Sequence, residues 1–60
     1  MTNTIENLTK ALHSAQFLES ELRLTLKAAD AVVALVLMPM VVDAVAVRQR
    51  VQNLLDAMGA

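Results

Sequence analysis

The chain has 60 residues, 57% of them apolar, and five basic against six acidic side chains give it a net charge of −1 at pH 7. A chain of this length buries only about 60% of the surface that it exposes when unfolded, so one small domain over residues 1–60 is the upper limit. The absence of cysteine excludes disulfides and zinc sites with sulfur ligands. The scattered basic residues offer no surface for a nucleic-acid backbone, and the polar start lacks a secretory signal, so we expect a cytoplasmic protein that binds no nucleic acid.

The first predicted helix begins near Thr4. Asn3 can cap it by accepting the backbone N–H of Glu6, in an Asn variant of the capping box. Apolar residues then recur at steps of three and four for about nine turns, which predicts an amphipathic helix over residues 4–37. The positions on this face are Ile5, Leu8, Leu12, Ala15, Leu18, Leu22, Leu26, Ala29, Val33 and Val36.

A break is predicted near Pro39. Proline has no N–H, clashes with the carbonyl four residues back, and disfavours helical geometry at the preceding Met38. The apolar pattern restarts after it, which predicts a second helix over residues 40–58 with Gly59 as its stop. Its apolar positions are Met40, Ala44, Val47, Val51, Leu54 and Met58. The expected fold is all-α, a two-helix antiparallel hairpin.

The predicted turn has an unusual composition, because residues 36–42 contain no glycine, asparagine or serine. Three conformations are compatible with it. The chain can reverse at Pro39 with an apolar turn covered by a partner, continue as one kinked helix, or become extended over the valine-rich stretch. The lack of apolar–polar alternation and of a hairpin dipeptide favours helix.

A second side of the predicted helices is also apolar. At 100° per residue it lies away from the main face, so two apolar faces require two partners. A lone hairpin gains about as much from burial as it loses in conformational entropy. We therefore expect a homodimeric four-helix bundle or packing on the helices of another protein. The predicted partner interface comprises Phe17, Leu24, Ala28, Ala31, Leu35, Val41, Val42 and Val45.

Asp43 is isolated among apolar residues, and burial of an unpaired carboxylate is costly. Asp43 can cap a helix, lie exposed, or pair with Arg48 or Arg50 of another chain, and the interchain ion pair is our hypothesis.

No constellation of catalytic or metal-binding residues is present in the sequence. His13 has no acid one helical turn away to orient it as a base, and Thr9 is only a weak hydrogen-bond partner. The carboxylates do not cluster as metal ligands, and a single glycine excludes the familiar phosphate-binding loops. We predict no enzymatic activity, no cofactor and no metal.

The composition and the two apolar faces favour a non-enzymatic interaction module, such as a small subunit, co-chaperone, adaptor or inhibitor. In size and layout the chain resembles small two-helix co-chaperones of secretion systems and small phage-encoded helical inhibitors. The alternative is a membrane-active or membrane-associated peptide that uses residues 31–47. A full span is disfavoured, because Pro39 and Asp43 interrupt the segment and a span needs about 20 apolar residues.

Overall fold

The computed structural model describes residues 3–59, which form two helices packed against each other. Helix α1 spans Thr4–Ala28 and helix α2 spans Ala31–Ala57. Because only two residues separate them, the helices lie antiparallel, in a hairpin 46 Å long and 16 Å wide. The predicted all-α class and helical hairpin are confirmed.

The chain reverses at Ala29 and Asp30, so the predicted break at Pro39 is wrong. Both residues have extended backbone conformations, with ψ of 147° and 174°. Asp30 caps α2, since its Oδ1 accepts the Val33 N–H at 2.9 Å. The Ala29 N–H donates to the Leu26 carbonyl at 3.2 Å and closes α1. The predicted helices over 4–37 and 40–58 therefore become Thr4–Ala28 and Ala31–Ala57.

Helix α2 continues through Pro39. The proline removes the hydrogen bond that position 39 would donate to the Leu35 carbonyl, at a cost of about 3 kcal/mol in a helix interior. Leu37 and Val41, on either side of it, are both buried, and burial contributes roughly 1.5 to 3 kcal/mol for each such side chain. This packing offsets the lost bond and keeps the segment helical.

The outer ends of the helices agree with the sequence analysis. Asn3 Oδ1 accepts the Glu6 N–H at 3.1 Å, although the Glu6 carboxylate then pairs with Lys10 at 3.6 Å rather than completing the capping box. At the other end, Gly59 adopts the left-handed conformation, with φ of 77°, and donates its N–H to the Asp56 carbonyl at 3.1 Å. Glycine suits this position because it has no Cβ to clash.

The contact between the helices follows heptad spacing, in which inward positions alternate steps of three and four. We call these positions the core seam. Every member is buried or half-buried, but among residues 3–59 the only buried side chains are Leu12, Leu37, Val41, Ala44 and Leu55. The core seam consists of Leu8, Leu12, Ala15, Glu19, Leu22 and Leu26 in α1, and Leu37, Val41, Ala44, Arg48, Val51 and Leu55 in α2.

The predicted inward face of α2 is wrong in phase. Of its six positions only Ala44 and Val51 belong to the core seam, whereas Met40, Val47 and Leu54 are exposed. The reason is that α2 is apolar on several sides, so that the period of its apolar residues alone does not select one face.

Replacement of Pro39 by alanine should stabilise the hairpin. The alanine restores the N–H that α2 lacks and has the highest helix propensity, so the free energy of unfolding should rise by up to about 3 kcal/mol. Urea unfolding followed by circular dichroism measures this change. A loss of stability, as expected for a proline that forms a turn, would contradict the continuous helix.

Replacement of Asp30 by alanine should destabilise the hairpin by about 1 kcal/mol, because the Val33 N–H loses its cap. Asp30→Asn is the matched control, since asparagine caps equally well. The same unfolding measurement compares the two variants. Equal losses from both substitutions would argue against a capping role for the side chain.

Candidate functional site

Few side chains on this hairpin could bind a metal or catalyse a reaction. Within the described part of the chain, no three His, Cys, Asp or Glu residues come together as a metal site would require. His13 is exposed, and the Thr9 hydroxyl donates to the Ile5 carbonyl at 2.8 Å. The features with functional potential are an ion pair between the helices and the apolar surfaces on either side of it.

The ion pair joins the middles of the two helices. Arg48 Nε donates to Glu19 Oε1 at 2.7 Å. On the other carboxylate oxygen, Glu19 Oε2, Arg23 Nε donates at 3.2 Å from one turn further along α1. The side chains of Glu19 and Arg48 are 18% and 29% exposed, so solvent screens this pair less than an ordinary surface pair.

These contacts change the acidity of Glu19. The hydrogen bond from Arg48 lowers the pKa of the carboxyl from its ordinary value of 4.5, partial desolvation opposes that shift, and the hydrogen bond from Arg23 adds to it. The carboxylate therefore remains charged to lower pH in the folded hairpin than in the unfolded chain. Interhelix attraction is retained under mildly acidic conditions.

Glu19 and Arg48 also define how the helices align. They are the only charged members of the core seam, so an alignment that separated them would leave a partly buried charge without its partner. One heptad from the pair toward the chain ends lie Leu12 and Leu55, which are 8% and 4% exposed. One heptad toward the turn lie Leu26 and Val41. Sequence reasoning missed this pair, although the heptad series containing Glu19 and Arg48 would have indicated it.

An open apolar groove lies on one side of the hairpin, where both helices contribute to its walls. We call it the side groove. Its volume is about 310 Å³, and Asp43 provides its one acidic side chain. Leu18, Met40 and Val47 remain about half exposed there. The lining residues are Ala15, Leu18, Leu22, Met40, Asp43, Ala44 and Val47.

A second apolar groove, the turn-end groove, lies nearer the reversal of the chain and has a volume of about 480 Å³. Leu35 and Val42 are 73% and 66% exposed in it. Further along the same side of α2 the residues become polar, with Gln49 donating to Asn53 at 3.0 Å. The lining residues of the turn-end groove are Leu26, Leu35, Met38, Pro39, Val41 and Val42.

The predicted partner interface does not form one surface in this hairpin. Phe17 and Leu24 are exposed at 67% and 57% on the side of α1 opposite the core seam, and Ala28 ends that helix. The predicted α2 members lie on another side of the molecule. They are Ala31, Leu35, Val42 and the half-buried Val45.

Val41 is the clear correction to the predicted interface. It is 9% exposed and belongs to the core seam, so it packs between the helices and is not available to a partner. The error follows from the phase of α2, because Val41 lies off the predicted inward face that contains Met40, Ala44 and Val47.

Asp43 is exposed. Arg48, one of its two predicted partners, is engaged by Glu19. Within residues 3–59 neither Asp43 nor the exposed Arg50 makes an ion pair. Arg50 is therefore the remaining predicted partner for Asp43.

Comparison with protein-family models, with curated proteins and with solved structures finds no match to this chain. Its functional potential has to be judged from the chemistry of its own surfaces.

The acid sensitivity of the hairpin should depend on Glu19. A carboxylate whose pKa is lowered by folding stabilises the folded state above its unfolded pKa, and this contribution is lost as the pH falls through the folded pKa. Glu19→Gln should therefore lower the free energy of unfolding at neutral pH, and its difference from the unmodified protein should shrink as the pH falls below about 4.5. Urea unfolding between neutral and acidic pH measures this difference.

Glu6→Gln is the matched control, since within residues 3–59 the ion pair of Glu6 is with Lys10 on the same helix, and both side chains are mostly exposed. It should cost less stability at neutral pH than Glu19→Gln. If the two variants behaved alike at every pH, the interhelix pair would contribute nothing to stability.

Proposed function

We propose that this protein is a non-enzymatic interaction module, which acts by packing its apolar surfaces against other helices, as a homodimer or in a complex with a helical partner protein. The observation that carries this proposal is the imbalance between buried and exposed apolar side chains. Among residues 3–59, five apolar side chains are buried and fourteen large ones are exposed at 38% or more.

The energetics point the same way. Full burial of one such side chain contributes roughly 1.5 to 3 kcal/mol, so covering one that is half exposed contributes about 1 kcal/mol. Association of preformed hairpins gains this contribution with little new ordering of the backbone, whereas a lone hairpin of this size has almost no net stability. A four-helix arrangement with a partner hairpin or partner helices is the proposed assembly.

The surfaces also suit this role in their chemistry. The walls of both grooves are aliphatic apart from Asp43, and methionines lie in each. Flexible, unbranched thioether side chains adapt to varied apolar partners. We place the protein among small subunits, co-chaperones, adaptors or inhibitors that act in the cytoplasm.

Membrane association is the second candidate, and one observation favours it. Helix α2 is long and apolar enough to cross a bilayer, and only 17% of its most apolar 18-residue window is buried in the hairpin. Against a span, Asp43 near the centre of that helix would cost about 2.5 to 3.5 kcal/mol in the bilayer. Flotation with lipid vesicles tests this candidate, because a soluble interaction module should stay at the bottom of the gradient.

The interaction module is tested by adding charge to the side groove. Leu18→Glu with Val47→Glu should shift the assembly toward single copies or abolish capture of a helical partner, because two carboxylates would be buried at the contact. Phe17→Glu with Leu24→Glu is the matched control, since it makes the same chemical change on the outer side of α1. Sedimentation analysis of each purified variant gives the mass in solution.

We expect the control to retain the assembly of the unmodified protein. Loss of assembly in the control alone would instead locate the interface on the predicted Phe17 and Leu24 surface. The interaction module would be refuted if the unmodified protein, with the side groove and the Phe17 and Leu24 surface both intact, were a stable monomer that captures no partner.

A further inference from the structure

Helix α2 has a second heptad series besides the core seam. We call it the flank seam, and all its members are exposed. Heptad geometry places it roughly a right angle away from the core seam, where a helix in a four-helix bundle meets its second neighbour. Along the sequence it consists of Val36, Met40, Asp43, Val47, Arg50 and Leu54.

The charges of the flank seam are self-complementary. It has one acid, Asp43, and one base, Arg50, seven residues apart with Val47 between them. When two copies of α2 lie antiparallel about a two-fold axis near Val47, Asp43 of each copy lies near Arg50 of the other. A two-fold interface requires this reciprocity, in which residue i contacts residue j and j contacts i. A parallel pairing would instead place Asp43 against Asp43.

The core seam provides a precedent inside the molecule for this type of contact. There, Glu19 and Arg48 pair across two antiparallel helices from within otherwise apolar heptad series, with 2.7 Å between Nε and Oε1. The flank seam repeats that pattern, but its acid and base lie on one helix, so a second copy is needed to complete two such pairs.

The exposed surface is continuous along much of α2. The flank seam runs from Val36 to Leu54, about 27 Å at 1.5 Å per residue, and α1 adds apolar surface beside it through Ala15, Leu18 and Leu22. The side groove opens beside the flank seam and shares Met40, Asp43 and Val47 with it. The turn-end groove lacks this extent, because its side of α2 becomes polar from Gln49 onward.

We infer that the flank seam and the side groove bind a second copy of this chain, with α2 antiparallel to its symmetry mate about a two-fold axis near Val47 and two reciprocal Asp43–Arg50 ion pairs. This inference rests on the proposed interaction function and specifies its partner. The assembly is a four-helix bundle whose register is determined by one ion pair within each hairpin and two between hairpins.

Charge reversal tests the reciprocal pairs. Asp43→Arg and Arg50→Asp should each raise the dimer dissociation constant by about tenfold or more, because each places like charges together twice. An equimolar mixture of the two variants should form a heterodimer about as tight as the unmodified dimer, since every acid again meets a base. Sedimentation equilibrium measures the dissociation constants of the two variants and of their mixture. Circular dichroism verifies that each variant remains helical.

Cysteine crosslinking tests the two-fold axis, and the native chain contains no cysteine to interfere. Val47→Cys places a thiol near the proposed axis and should form an interchain disulfide on mild oxidation. Met40→Cys is the matched control on the same seam, one heptad away, and should not crosslink, because its two copies would lie far apart in the antiparallel pairing.

The outcomes separate this inference from the broader function. Equal crosslinking of both cysteine variants would indicate a parallel pairing and overturn the inference, and so would a dimer that tolerates each charge reversal. A monomeric protein that captures a helical partner through the side groove would overturn the self-pairing and leave the interaction function intact. Failure of both assembly and capture would refute both.

Discussion

The ion pair between Glu19 and Arg48 and the two-residue connection between the helices are the constraints on which the alignment of the two helices depends. An apolar contact between aliphatic helices has little preference for one register, because shifting by a turn exchanges one leucine or valine for another. A charged pair within the seam reduces that freedom, since an alignment that separates the two charges leaves each of them partly buried and unpaired. The bond from Arg48, next to the bond from Arg23, therefore stabilises the alignment that the two-residue connection permits.

The most unusual element is α2, which has no continuous polar side over its first half. Such a helix is buried on several sides in most proteins or lies in lipid, yet α1 covers only one side of it here. The remaining apolar surface makes the hairpin an incomplete structural unit. A partner that covered this surface, as proposed above, would add to the stability of the fold, so its binding would be thermodynamically linked to folding.

Much of the fold could be predicted from local signals. The cap at Asn3 and the stop at Gly59 follow from elementary rules of helix ends. Apolar spacing identifies most of the inward face of α1, although its predicted members Ile5 and Leu18 are exposed. The reversal could not be placed correctly, because a proline is a stronger local signal than an aspartate, and the capping role of Asp30 was overlooked. Tertiary packing of Leu37 and Val41 then made the proline tolerable inside a helix.

The candidate surfaces were less predictable for a related reason. On a helix that is apolar on nearly every side, the spacing of the apolar residues does not identify the inward side. The inward side of α2 is identified instead by Arg48, whose partner Glu19 lies on the other helix. The assignment of Val41 to an external surface was wrong for this reason. A search for opposite charges within matching heptad series would have oriented α2 correctly.

The two-residue connection at Ala29 and Asp30 has a kinetic consequence. Contacts between the helices near the connection close short loops, and loop-closure entropy grows with the length enclosed. Contacts between the outer ends of the two helices enclose most of the chain and cost the most entropy unless the contacts nearer the connection form first. Zippering from the connection toward the two termini is therefore the least costly route, which favours the rapid folding of topologies with local contacts.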